Sequence, residues 1–81
     1  MGGSTAAMPV RMRLSDRELV DDLLDFLSRR ECVGERVAGS VDEIYVLPPH
    51  TLHARQAAME LDLLVGVWEA LHPGASVDRV A

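Results

Sequence analysis

Three histidines, one cysteine and a run of acidic residues are the side chains here best suited to chemistry. His50 and His53 stand three apart at the start of a helical stretch, a spacing that brings two side chains onto one face. Two imidazoles can begin a metal site. A catalytic zinc centre takes three protein ligands, however, and no nearby acid or thiol completes this one. His72 closes the far end of the same stretch, ~30 Å away for a helix of ~20 residues. The pair reads as solvated or loop-capping histidines, and no metal or other cofactor is expected.

Cys32 follows Arg29 and Arg30, whose charges could lower its pKa and make it a nucleophile or redox thiol. It has no resolving cysteine and no histidine beside it in the chain. A lone cysteine in a strand serves more simply as a small apolar filler. A single cysteine also excludes an intramolecular disulfide and a cysteine-based zinc cluster within one chain. Asp21, Asp22 and Asp25 could suggest a carboxylate site, but an acid/base pair needs an enclosing cleft. They fit the solvated side of an amphipathic helix.

All eight basic residues are arginine, so lysine Schiff-base chemistry and a P-loop lysine are excluded. GxGxxG, Walker A, GxSxG and HExxH patterns are absent. No nucleophile, base and oxyanion donor assemble into a catalytic constellation, so the protein reads as non-enzymatic. An enzyme or metal-binding protein using Cys32 or His50 and His53 is the third reading.

Composition narrows the class further. Eighty-one residues make room for one small domain. Hydrophobic residues at 48% and charged residues at 26% are an ordinary globular mixture. The net charge of −5 repels phosphate, which disfavours nucleic acid and anionic membranes as partners. Lysine and asparagine are both missing, which points to a high-GC bacterial genome, actinobacterial in character. The longest strongly apolar run, from Leu63 to Trp68, is too short to span a bilayer. No secretory signal pattern opens the chain, so a cytoplasmic location is expected.

The elements that must position these residues follow from periodicity. Residues 1–9 are small and aperiodic and read as a flexible tail ahead of one domain over residues 10–81. Val10 to Leu14 alternates apolar and charged, the signature of a half-buried strand with Arg11 and Arg13 facing away from the core. Ser15 and Glu18 match a capping box, predicting a helix to about Arg30 with Leu19, Val20, Leu23, Leu24 and Leu27 on its inner stripe.

Cys32 to Ala38 and Val41 to Leu47 read as two strands joined by a type II′ turn at Gly39-Ser40. That turn pairs Arg36 with Glu43, Gly34 with Tyr45 and Glu35 with Ile44, which leaves Glu35 in conflict on the apolar face. Thr51 can cap a second helix to about Leu71, stopped by His72-Pro73-Gly74. Val77 and Val80 suit a short final strand. The order βαββα(β) describes an α+β, ferredoxin-like two-layer sandwich, an antiparallel sheet with two helices on one face.

Two surfaces of this layout could act. On the second helix, Ala54, Ala57, Ala58, Leu61, Leu64, Val65, Trp68 and Leu71 share a face that can cover the sheet. Met59, Leu63, Gly66, Val67 and Ala70 form a second apolar side, one more than a surface helix needs. The first functional expectation is therefore an interaction or regulatory module that self-associates as a homodimer, or docks another protein, through that stripe or the open sheet face. The alternative is a sensor of small anionic ligands using Arg11, Arg13, Arg36 and Tyr45 on the open sheet face.

Overall fold

The structure is a computed structural model describing residues 9–48 and 54–80. The expected tail up to Met8, the Pro49-to-His53 stretch with His50, Thr51 and His53, and Ala81 lie outside the described residues.

The chain runs β1 (Val10–Leu14), a short 3-10 helix (Arg17–Leu19), α1 (Val20–Ser28), β2 (Val33–Arg36), β3 (Glu43–Leu47), α2 (Ala54–Leu71) and β4 (Val77–Arg79). The four strands form one sheet in the order β2-β3-β1-β4, every neighbouring pair antiparallel. Alternation in β1 sorts its side chains as expected: Met12 and Leu14 are buried, while Arg11 and Arg13 face the opposite side. Both helices pack on the first of these faces. Val20, Leu23 and Leu27 of α1 meet Leu61, Val65 and Trp68 of α2 over Met12, Leu14, Ile44 and Val46. Among the described residues the other sheet face carries no helix. Leu71, expected on the inner side of α2, is 63% exposed, because it sits at the helix end beyond the edge of this core.

The helix start differs from the expected capping box. Asp16 takes the cap: its Oδ1 accepts the Glu18 amide at 3.0 Å. Ser15 instead joins the sheet edge, where its Oγ accepts the Ser76 amide at 2.8 Å and its own amide donates to the Ser76 carbonyl. α1 closes at Ser28 rather than Arg30, and Glu31 turns the chain with a φ of 64°.

The hairpin differs in register by one residue. Gly39, with a φ of 82°, is the third residue of a turn closed by the Ser40 amide on the Val37 carbonyl. A type II′ turn would need it one position earlier. The loop is longer than two residues, so Arg36 pairs with Ile44, Glu35 with Tyr45, Gly34 with Val46 and Val33 with Leu47. A one-residue slip turns every β2 side chain to the other face. Glu35 thereby escapes to the open face, and the conflict of the shorter turn disappears. Gly34 now faces α1, where a Cβ would lie 2.8 Å from Leu24 Cδ2. Glycine is what lets α1 approach the sheet there.

Candidate interaction surfaces

On the open sheet face, β1 and β3 are in register with Arg11 opposite Tyr45 and Arg13 opposite Glu43. Glu43 is buried between the two arginines. Arg11 Nε donates to its Oε1 at 2.7 Å, and Arg13 Nη2 donates to its Oε2 at 2.7 Å. These two bonds, Arg13's first, hold the Glu43 carboxyl below the usual carboxylate range against the opposing effect of desolvation. The same contacts raise both arginines. Glu35 and Asp78 share this face, opposite Tyr45 and Arg13 respectively. Glu43 thus bonds both guanidinium groups, Asp78 stands opposite Arg13 and Glu35 lies beyond Tyr45, so the face as a whole offers an incoming anion no net positive charge.

Arg36 does not belong to this group. The register slip sends it to the helix side, where its Nη2 donates to Asp21 Oδ1 at 2.6 Å. The expected Arg36–Glu43 pair and the Tyr45–Gly34 pairing are both absent for the same reason. Tyr45 instead lies under Arg11, whose guanidinium stands 5.8 Å from the ring centre. Beyond it the face turns apolar: Pro9, Val33, Tyr45 and Leu47, with Glu35, line a shallow depression of about 200 Å3.

The chemical candidates are otherwise engaged. Cys32 is 2% exposed, and burial, reinforced by Glu60, pushes its thiol up, away from activation. The arginines expected to lower it point elsewhere. Arg29 pairs with Asp25 at 3.1 Å, and Arg30 stacks on Phe26 with 3.7 Å from guanidinium to ring centre. Asp21 holds Arg36, so the Asp21/Asp22/Asp25 run is distributed over separate partners. Among the described residues no group of three or more histidine, cysteine or acidic side chains is arranged to hold a metal ion.

One cluster escaped the sequence reading. Asp22 Oδ2 accepts Trp68 Nε1–H at 2.8 Å and lies 2.9 Å from His72 Nε2. The His72 ring stacks on the indole at 4.3 Å, and its Nδ1 lies 2.9 Å from the Trp68 carbonyl. A buried tryptophan needs an acceptor for its one N–H, which is the signal that could have drawn Asp22 out of the solvated face. The cluster clasps the end of α2 to α1 and leaves these groups committed to one another.

The outer side of α2 is different. Met59, Leu63 and Val67 are 61%, 65% and 50% exposed, and Gly66 and Ala70 are exposed beside them. Nothing lies within 4 Å of where a Gly66 Cβ would stand. Gln56, Met59, Leu63, Gly66 and Ala70 alternate steps of three and four residues, an uncharged a/d seam opposite the buried face. Arg55, Asp62 and Glu69 flank it on one side, Glu60 and Val67 on the other. Four of the five residues expected to form an interface lie in this seam, and the fifth, Val67, borders it. No protein-family model matches the chain, and no curated protein or solved structure is similar enough to match it.

Proposed function

We propose that this protein is a non-enzymatic interaction or regulatory module that self-associates through the outer face of α2, carried on a ferredoxin-like scaffold. The strand order β2-β3-β1-β4 with a helix after β1 and another after β3 supports the scaffold reading. The observation that carries the function is the uncharged strip: three large apolar side chains at least half exposed on a helix whose opposite face already fills the core. Covering such a strip removes apolar area from water at roughly 25 cal/mol per Å2. A domain of this size gains only ~3–5 kcal/mol from its own core, so association is a substantial addition. The lone buried thiol suits a reducing, cytoplasmic setting. Among the described residues no helix is long and apolar enough to cross a membrane.

The competing reading, a sensor of small anions on Arg11, Arg13 and Tyr45, has less support because Glu43 already occupies both guanidinium groups. Sedimentation velocity over a wide concentration range tests the choice. The wild type is expected to dimerise increasingly with concentration, and more strongly in salt, which screens the −5 charge of each chain. Leu63→Glu is expected to sediment as a monomer with an unchanged circular dichroism spectrum. A folded Leu63→Glu protein that dimerises like the wild type removes the strip from consideration.

A further inference from the structure

We infer that the occupant of the α2 strip is a second copy of this chain, docked antiparallel about a two-fold axis, with Met59 of each copy over Ala70 of the other and Leu63 over Gly66. This inference rests on the self-association reading and adds its geometry. Along its a/d seam the strip is graded in size: Met59 and Leu63 are large and lie towards the helix start, whereas Gly66 and Ala70 are small and lie towards its end, with Val67 half exposed on the flank. Antiparallel docking sets large against small in both of these layers, so they interdigitate. Parallel docking sets each residue on its own counterpart, spreading the helices at Leu63 and leaving the Gly66 layer unfilled, where packing contacts are lost outright. The surface around Gly66 is open enough to receive a leucine.

A hole for Ala70 of the other copy is already formed. Gln56, Met59, Glu60 and Leu63 surround a shallow dent on this face. Their spacing of i, i+3, i+4 and i+7 is the four-residue hole of helix-pair packing.

The charges bordering the strip do not choose between the registers. Antiparallel docking brings Glu69 of one copy towards Asp62 of the other, but each carboxylate is engaged within its own chain, Asp62 by Arg79 and Glu69 Oε2 by the Val77 amide at 2.8 Å. Parallel docking offers Arg55 to Glu60, an exposed pair of the kind that contributes little. The size grading carries the orientation. α2 spans 18 residues, hence ~27 Å. A contact along one such helix falls short of the ~800 Å2 per partner of a standard interface, so the dimer is a weak one that forms with concentration.

Cysteine crosslinking reads the orientation directly, because Cys32 is buried and the wild type serves as its control. Met59→Cys and Ala70→Cys are made singly and together, and oxidised at a concentration where the wild type sediments as a dimer. The double variant is expected to run as a covalent dimer on a non-reducing gel, and each single variant as a monomer. Single variants that crosslink as fully as the double one overturn the antiparallel register while leaving self-association in place. A wild type that stays monomeric at every concentration overturns both. A wild-type dimer whose double variant fails to crosslink shows that the copies meet elsewhere.

Discussion

α1 and α2 pack on the same sheet face, yet their outer sides are finished in opposite ways. On α1 the outward carboxylates all have work inside the molecule: Asp21 holds Arg36, Asp22 receives Trp68 and His72, and Asp25 holds Arg29. On α2 the outward residues Met59, Leu63, Gly66, Val67 and Ala70 have no polar atom in their side chains with which to engage water. One helix needs nothing further. The other has buried Ala57, Leu61, Val65 and Trp68 and still presents apolar surface to solvent. A surface is more telling when its neighbour, built under the same constraints, lacks the feature.

The sharpest way to break this comparison uses two leucines one half-turn apart on α2. Leu61 is 0% exposed and Leu63 is 65% exposed. Leu61→Ala is expected to cost ~2–5 kcal/mol of monomer stability by chemical denaturation. Leu63→Ala, measured at a concentration where the chain is monomeric, is expected to change it by less than about 0.5 kcal/mol. Equal costs would show that the outer side of α2 is covered within the monomer.

Two glycines sharpen the contrast at lower amplitude. Gly34→Ala puts a methyl group 2.8 Å from Leu24 Cδ2, and the flexible leucine end must move, at a cost of about 1 kcal/mol. Gly66→Ala meets open space in a helix interior and is expected to stabilise the monomer by about 0.5–1 kcal/mol. Paired thermal melts of the two variants decide it: a lowered melting temperature for Gly66→Ala would contradict the open surface there, and a raised one for Gly34→Ala would contradict the close approach of α1.

The smallest effect concerns the open sheet face. The folded Glu43 carboxyl binds its proton less readily than the unfolded one, because Arg13 and Arg11 hold it charged. Its contribution is therefore complete above the ordinary glutamate range and fades as pH falls through the lower folded value. Glu43→Gln is expected to be the less stable protein at neutral pH and to lose less stability on acidification than the wild type. Parallel stability curves against pH would show that the two arginines do not bias this carboxyl.

Much of the layout was legible because it is local. The period-two pattern of Val10 to Leu14 reports a strand with one buried face, and that is where Met12 and Leu14 went. The surplus strip on α2 was visible from helical periodicity alone. The misreadings are each settled by partners far along the chain. Ser15 looks like a cap until Ser76 arrives to claim its hydroxyl. Gly39-Ser40 looks like a two-residue turn, but α1 presses Leu24 against β2 and suits Gly34, rather than Glu35, on that side. Asp22 reads as solvated because Trp68 is 46 positions away. Tertiary contact chose among local options that were each sound.

The strand order has a consequence for synthesis. β1 leaves the ribosome before the other three strands of this sheet, yet it ends up inside it, flanked by β3 and by β4. Its pairing of Met12 with Arg79 waits on residues made near the close of translation of this segment. Until then the nascent sheet has β1 as a raw edge, with Arg11 and Arg13 lying along it. Charged side chains on an unpaired edge discourage neighbouring nascent chains from adding to it. The same two arginines that later hold Glu43 can thus guard the half-built sheet while its last strand is still being made.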